Sequence, residues 1–207
     1  MEDAREHWEQ VYRERQADEV SWYQAHPAIS LRLIEASGVG TSTPVLDVGG
    51  GASRLVECLH KRGFGDLTVL DIASSALAHA RDRLGVAADG IDWIAADVTR
   101  FEPTRQFGLW HDRAVFHFLV DDAGRAGYLD ALRAGLAPGG ALVLGTFATG
   151  GPRRCSGLPV QQYDAPTLCA VLGEEFELLD ATRLVHRTPG DVEQLFAWFR
   201  LRRRASS

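Results

Sequence analysis

Five short apolar segments, each of strand length, alternate with helical segments along this chain. They span residues 44–48, 67–72, 91–96, 107–110 and 141–147. Because these segments are nearly continuous in Val, Leu and Ile, they are typical of strands covered by helices on both faces. Strands that alternate with helices build βαβ units and a parallel sheet. The sequence therefore predicts an α/β fold with a doubly wound, mostly parallel sheet.

Glycine, serine and proline mark the ends of the helices between these strands. Predicted helices cover residues 53–62, 74–84, 122–136 and 165–172. A loop rich in glycine and proline, residues 150–163, is predicted to act as a lid. Two later strands, 176–186 and 194–201, predict an antiparallel C-terminal hairpin, which brings the sheet to seven strands.

The 207 residues favour a single domain, 1–207. Within it we expect a helical cap over residues 1–40, a ligand-binding core over 41–148, and a lid loop with C-terminal strands over 149–207. The net charge of −6 opposes binding to nucleic acid or to an anionic membrane. The last arginines are predicted to form a solvated tail: Arg200, Arg202, Arg203 and Arg204.

Three cysteines, Cys58, Cys155 and Cys169, are an odd number without CxxC spacing. This pattern supports neither a disulfide framework nor a zinc site, so we predict no metal. The N-terminus has no apolar signal segment, and no run of about 18 apolar residues occurs. A cytoplasmic protein that neither spans nor binds a membrane is expected.

The most informative stretch is Val45-Leu46-Asp47-Val48-Gly49-Gly50-Gly51-Ala52-Ser53-Arg54, where a strand ends in glycines before a helix. Glycine allows a ligand to approach the backbone closely. A dinucleotide fingerprint needs a third glycine where Arg54 stands, and Asp47 would repel a pyrophosphate. A ligand with an ammonium group fits this turn better.

Acidic residues end the next two strands. Asp71 lies 20 residues after Gly51, where a carboxylate can accept both hydroxyls of a ribose, and Ile72 follows it. Asp97 can accept from an adenine amino group while Val98 donates its backbone N–H. Each acid alone is equally well explained as a helix cap. All three together indicate an adenosine nucleoside.

From residue 45 to 147 the sequence resembles the class I S-adenosylmethionine-dependent methyltransferase superfamily, through these same acids and glycines. The resemblance implies S-adenosylmethionine as cofactor and S-adenosylhomocysteine as product. It also implies that Asp47 and the turn Gly49, Gly50 and Gly51 line the methionine part. By the same resemblance, Asp71 binds the ribose and Asp97 the adenine.

The N-terminal segments Trp8-Glu9-Gln10-Val11-Tyr12 and Ser21-Trp22-Tyr23-Gln24 are similar to a part of the thiopurine-methyltransferase-like and small protein-lysine methyltransferase branches. In those branches the segment folds over the cofactor. Trp22 or Tyr23 is then placed to lie against the sulfonium, whose charge is attracted to an aromatic face. The alternative is that these rings only hold a helix on the sheet.

Titratable groups concentrate at the end of the fourth strand. His111 and His117 are candidate general bases, and Asp112 is a third candidate catalytic residue. Alternatively both histidines are structural, and Asp112 forms an ion pair with Arg113 that braces the turn. Methyl transfer is an in-line displacement, so alignment can supply most of the acceleration without a base.

The expected reaction is methyl transfer to a small-molecule thiol, amine, hydroxyl or metalloid, with Arg153, Arg154 and Cys155 as candidate acceptor contacts. A protein lysine is the second acceptor class, since the acidic surface can attract a basic target. An NAD-dependent oxidoreductase is opposed by the missing glycine and by Lys61 being the single lysine, which leaves no Tyr-x-x-x-Lys pair. A non-catalytic cofactor-binding domain is the remaining alternative.

Overall fold

The computed structural model describes residues 2–15 and 18–205. In this part of the chain nine strands form: β1 Val45–Val48, β2 Leu67–Asp71, β3 Ile91–Ala95, β4 Phe107–Arg113, β5 Leu136–Phe147, β6 Arg154–Cys155, β7 Leu158–Pro159, β8 Phe176–Arg187 and β9 Glu193–Arg203. Seven of them make one sheet in the order β3-β2-β1-β4-β5-β9-β8. The strands β1 to β5 pair in parallel, and β9 and β8 add an antiparallel hairpin. The predicted seven-stranded architecture is confirmed.

Within the described ranges, six α-helices accompany the sheet: α1 Glu2–Glu14, α2 Ala28–Ala36, α3 Leu55–Lys61, α4 Ser74–Leu84, α5 Asp122–Gly135 and α6 Ala165–Leu172. Alternate residues of each strand point to opposite faces. On one face Val69 and Leu109 pack with α2 and α3, and on the other Leu70 and Trp110 pack with α5 and α6. Both faces are therefore buried, as the continuous apolar strands predict.

The N-terminal helix α1 is fixed to the start of α4 by one carboxylate. Glu9 accepts hydrogen bonds from the backbone N–H of Ser74 (2.7 Å), from its hydroxyl (2.7 Å) and from the N–H of Ser75 (3.2 Å). The residue before α4, Ala73, has no side chain that can cap the helix. Glu9 supplies the missing cap from another helix.

The C-terminal arginines differ from the prediction of a solvated tail. Strand β9 continues to Arg203, and Arg202 forms an ion pair with Glu177 across the hairpin. Arg203 donates to the backbone carbonyls of Arg133 and Leu136. These residues brace the hairpin against the end of α5. Among the described residues, no helix is long and apolar enough to cross a membrane.

Candidate active site

A large cavity opens at the carboxyl ends of the parallel strands, beside the junction of β1 and β4 where the strand order reverses direction. Ligands of doubly wound sheets bind at this switch point. The cavity has a volume of about 640 Å³. Its walls include the predicted cofactor residues Gly49, Asp71, Ile72, Asp97 and Val98. The structure thus brings the ends of three neighbouring strands to one space.

The glycine turn after β1 leaves no room for side chains. Gly49 has φ +68°, and a Cβ there would lie 2.2 Å from a methyl carbon of Val115. A Cβ on Gly50 would lie 2.4 Å from Asp47 Oδ2, and one on Gly51 would lie 2.8 Å from Asp71 Oδ2. The glycines therefore keep the backbone close to both carboxylates.

Asp71 joins the turn to the end of β2. Its Oδ2 accepts from the N–H of Gly51 (3.0 Å) and its Oδ1 from the N–H of Ala73 (2.9 Å). Burial raises the pKa of Asp71 to about 6, although these two hydrogen bonds act in the opposite direction. A carboxylate has about four acceptor positions, so two remain for a ligand in the cavity.

Asp97 occupies both positions considered from the sequence, at the cavity and at the start of a helical turn. It lines the cavity, and its Oδ1 accepts from the N–H (2.9 Å) and the hydroxyl (2.8 Å) of Thr99. Through these hydrogen bonds Asp97 caps the short helical turn Val98–Arg100. Its second oxygen is the atom left to accept from a ligand.

His111 lies beneath Asp47 rather than in the large cavity. Its Nδ1 is 2.7 Å from Asp47 Oδ1 and its Nε2 is 2.9 Å from the Ser30 hydroxyl, and all three side chains are buried. Both ring nitrogens are therefore engaged with protein groups. This geometry makes His111 a support for Asp47, and the ring lines a smaller pocket beside the large cavity.

Asp112 points to the opposite face of β4, away from Arg113, because neighbouring strand residues alternate. It accepts from the N–H groups of Val115 (2.9 Å) and Phe116 (3.1 Å), and burial raises its pKa to about 6. The suggested ion pair between Asp112 and Arg113 is wrong for this reason. Asp112 shapes the turn after β4 and does not line the cavity.

His117 is fully buried and holds the end of β5. Its Nδ1 accepts from the N–H of Phe147 (3.2 Å), and its Nε2 has no partner. Burial, together with the charge of Arg113, lowers the pKa of His117 to about 3. Its accepting nitrogen is occupied by the backbone and the ring does not line the cavity, so the geometry gives no support to a general base here.

Aromatic side chains form one wall of the large cavity: Trp8, Tyr12, Trp22 and Phe118. The ring of Trp8 lies 5.6 Å from Trp22 and 5.1 Å from Phe118 in edge-to-face contacts. Tyr23, the other predicted cofactor contact, lines a smaller pocket together with Trp22. Phe118 is a cavity residue that the sequence did not predict. The signal that could have indicated it is its position shortly after β4.

The predicted lid loop contains the short hairpin β6–β7. Cys155, Leu158 and Pro159 of this hairpin line the cavity, and burial raises the pKa of the Cys155 thiol to about 11. Arg153 and Arg154 are exposed and are not among the residues that line it. The cavity-lining arginine of β4 is Arg113, whose Nη1 donates to the carbonyl of Trp22 (2.6 Å).

Residues 45–140 match the family model described as a methyltransferase domain. This match supports the resemblance of this part of the chain to the class I S-adenosylmethionine-dependent methyltransferases. The cradle of Asp47, Asp71 and the glycine turn fits that methyl donor, because it offers carboxylate oxygens beside backbone that no Cβ obstructs. A comparison of the methyltransferase with curated protein sequences finds no match.

Solved structures with the same fold include other methyltransferases. A 1,6-didemethyltoxoflavin-N1-methyltransferase from Burkholderia thailandensis has a TM-score of 0.74 and 21% identity, over 97% of this chain and 87% of that one. The N-methyltransferase NodS from Bradyrhizobium japonicum, solved with S-adenosylhomocysteine, has a TM-score of 0.69 and 22% identity, over 94% and 97%. An S-adenosylmethionine-dependent methyltransferase from Anabaena variabilis has a TM-score of 0.76 and 17% identity, over 97% and 95%. These likenesses support the fold.

Proposed function

We propose that this methyltransferase transfers the methyl group of S-adenosylmethionine to a small-molecule acceptor that carries a thiol, amine, hydroxyl or metalloid. The observation behind this proposal is the cavity of about 640 Å³, whose walls combine the cofactor residues with aromatic and apolar side chains. Ligand pockets for small molecules have this size and character. The Burkholderia thailandensis structure supports the same class, since that protein is a 1,6-didemethyltoxoflavin-N1-methyltransferase solved with 1,6-didemethyltoxoflavin bound.

Each part of the chain has a distinct task in this proposal. Asp71 holds the ribose, Asp97 with Val98 the adenine, and Asp47 with the glycine turn the methionine end. S-Adenosylmethionine supplies a methyl group on a positively charged sulfur. The aromatic wall attracts that charge by about 0.5 to 2 kcal/mol and excludes water.

Alignment of the acceptor is the main contribution of the chain to the rate. The two histidines considered as bases are both engaged in the protein interior, and Cys155 stays protonated at neutral pH. A well-oriented nucleophile gains about 7 to 11 kcal/mol from position alone. We therefore propose that the acceptor loses its proton to solvent, with no dedicated base.

The domain plan predicted from the sequence is kept as part of this proposal. Residues 1–40 and 149–207 contribute walls on either side of the 41–148 core, through Trp22 of the first part and Cys155 of the last. We also propose a cytoplasmic location, because the three cysteines are free.

Two measurements test the function. Calorimetry is expected to show binding of S-adenosylhomocysteine and none of NAD, and Asp71→Asn is expected to weaken that binding while the exposed Asp82→Asn does not. Release of S-adenosylhomocysteine is then followed with thiols, amines, phenols, a metalloid and a lysine peptide. Turnover with the peptide alone would replace the small-molecule proposal by the protein-lysine alternative. Binding of NAD in place of S-adenosylhomocysteine would contradict both.

A further inference from the structure

Two kinds of residues line the large cavity. The first kind lies at the ends of the parallel strands and includes Asp71 and Asp97, which the proposed function assigns to the cofactor. The second kind, called the acceptor lining below, consists of the aromatic wall together with Cys155, Leu158 and Pro159 of the hairpin β6–β7. Because the strand ends are assigned to the cofactor, the acceptor lining is what remains to recognise the molecule that receives the methyl group.

The rings of the aromatic wall meet edge to face. Trp8 is 5.6 Å from Trp22 at an interplanar angle of 82°, and 5.1 Å from Phe118 at 73°. Tyr12 is 6.1 Å from Trp22 at 84°. Aromatic rings prefer such edge-to-face or offset arrangements, which give a further planar ring more binding free energy than its buried area alone provides. The aromatic wall therefore favours a planar aromatic acceptor over an aliphatic one of the same size.

The titratable groups of the acceptor lining are both neutral. Burial raises the pKa of Tyr12 well above its ordinary value and that of the Cys155 thiol to about 11. A protonated phenol and a protonated thiol cannot take up a further proton near neutral pH. The acceptor lining can thus hold a molecule in position, but it cannot remove a proton from it.

The charged groups of the cavity do not supply a base either. Asp71 and Asp97 are assigned to the cofactor, and the exposed Asp121 caps α5 by accepting from a backbone N–H of that helix (2.7 Å). Arg100 and Arg113 are guanidinium ions without an acceptor atom. In the part of the chain that the structure describes, no cavity residue is therefore left to take a proton from the acceptor.

We propose that the acceptor is a planar aromatic molecule whose nucleophilic atom carries no proton at neutral pH, such as an aromatic thiolate or a pyridine-type ring nitrogen. This inference rests on the proposed function and narrows its acceptor class. A lone pair of that atom forms the new bond to the methyl carbon. The carbon–sulfur bond breaks, and its electron pair stays on the sulfur of S-adenosylhomocysteine. No proton moves in this step, so the reaction needs alignment only.

The first experiment tests the aromatic ring without turnover. Calorimetry measures how the complex with S-adenosylhomocysteine binds the methyl thioethers of phenylmethanethiol and of cyclohexylmethanethiol. The parent is expected to prefer the aromatic thioether by about 5- to 20-fold. Phe118→Leu is expected to lower this preference by about threefold or more, whereas Phe118→Tyr retains it. Phe101, a half-buried ring outside the cavity, provides the matched control Phe101→Leu.

The second experiment tests the nucleophilic atom with saturating S-adenosylmethionine. For phenylmethanethiol, kcat/KM is expected to rise by about tenfold per pH unit between about pH 7 and 9, because this thiol is mostly protonated there and only its thiolate reacts. Thiophenol and quinoline carry little or no proton on the nucleophilic atom in this range. Their profiles are expected to be flat, and they report any pH response of the enzyme itself.

Several outcomes contradict the proposal. Equal binding of the two thioethers by the parent, or an equal loss of preference in Phe101→Leu and Phe118→Leu, removes the role of the aromatic wall. A flat profile for phenylmethanethiol means that the protein supplies a base. Turnover of aliphatic thiols or amines without turnover of any aromatic acceptor overturns the assigned class. If Phe118→Leu does not fold, the parent's preference and the pH profiles decide.

Failure of the proposed function gives a different pattern. A parent protein that does not bind S-adenosylhomocysteine, or that methylates none of these small molecules, contradicts the function itself. A parent that binds S-adenosylhomocysteine and methylates aliphatic small molecules contradicts the aromatic class alone. Turnover of thiophenol or of quinoline supports the proposal, and the one that reacts identifies the nucleophilic atom as sulfur or ring nitrogen.

Discussion

The Nδ1 atom of His111 lies 2.7 Å from Oδ1 of Asp47, and both side chains are at most 4% exposed. This contact joins neighbouring strands, because Asp47 and His111 are paired residues of β1 and β4. The histidine holds Oδ1 of the carboxylate, while Oδ2 is buried without a hydrogen-bond partner. A strand pairing inside the core thereby sets the orientation of a carboxylate beside the glycine turn.

Removing this support is expected to weaken both folding and binding. In His111→Phe the buried carboxylate of Asp47 loses its partner, which costs about 3 kcal/mol or more of unfolding free energy. Ser30→Ala removes only the outer hydrogen bond and is expected to cost about 1 kcal/mol. Urea denaturation measures the stability, and calorimetry is expected to show a loss of affinity for S-adenosylhomocysteine in His111→Phe. The exposed His60→Phe is the matched control, and an equal effect there would refute the role of His111.

Cofactor affinity is expected to depend on pH through Asp71. The ionised carboxylate accepts hydrogen bonds from a ribose, and the protonated form offers fewer acceptor positions. Because burial raises the pKa of Asp71 to about 6, affinity for S-adenosylhomocysteine is expected to be full above that value and to fall by up to about tenfold per pH unit below it. Asp71→Asn is expected to bind weakly at every pH. A parent profile that is flat between pH 5 and 7 would contradict this assignment.

Most of the fold was predictable from local sequence. The apolar strands and their order follow from βαβ connections, and glycines mark the helix ends. The short hairpin β6–β7 was not predicted, because two-residue strands leave no periodic pattern. The strand position of Arg202 and Arg203 was missed for another reason, since their partners, such as Glu177, come from distant parts of the chain.

That Asp71 and Asp97 line one cavity was also predictable, while the surroundings of the candidate catalytic residues were not. Asp71 and Asp97 end strands that the sequence already placed side by side. In β4 the predicted strand ended at Trp110, whereas it continues to Arg113. Strand alternation over those extra residues separates Asp112 from His111 and Arg113, which the sequence had grouped into one site. The aromatic wall depends on how α1 packs, and no local pattern encodes that packing.

Asp112 is expected to oppose stability as the pH rises. Burial raises its pKa from 3.8 to about 6, so the folded protein binds this proton more tightly than the unfolded chain between those values. The free energy of unfolding therefore decreases from about pH 4 to about pH 6. Asp112→Asn is expected to remove this decrease, which amounts to about 1 to 3 kcal/mol. Urea denaturation across this pH range is expected to give a flatter profile for Asp112→Asn. The exposed Asp89→Asn should retain the parent slope, and a parent slope in Asp112→Asn would disprove the assignment.

Glu9 is expected to couple the stability of the N-terminal helix to cofactor binding. Burial acts to raise its pKa, but the hydrogen bonds from Ser75 and Ser74 outweigh that effect and lower the pKa to about 2. The ionised carboxylate thus contributes stability above the ordinary pKa of glutamate, and that contribution is lost as the pH falls towards 2. Glu9→Ala also removes the cap of α4, with an expected cost of about 1 kcal/mol.

The consequence for binding follows from the position of α1, which carries Trp8 and Tyr12 into the cavity wall. Hydrogen exchange is expected to show faster exchange in α1 of Glu9→Ala, and calorimetry a lower affinity for S-adenosylhomocysteine. Glu6→Ala, an exposed change on the same helix, should alter neither. If Glu9→Ala and Glu6→Ala behave alike, α1 is held by its aromatic contacts alone, and the carboxylate does not link the helix to the site.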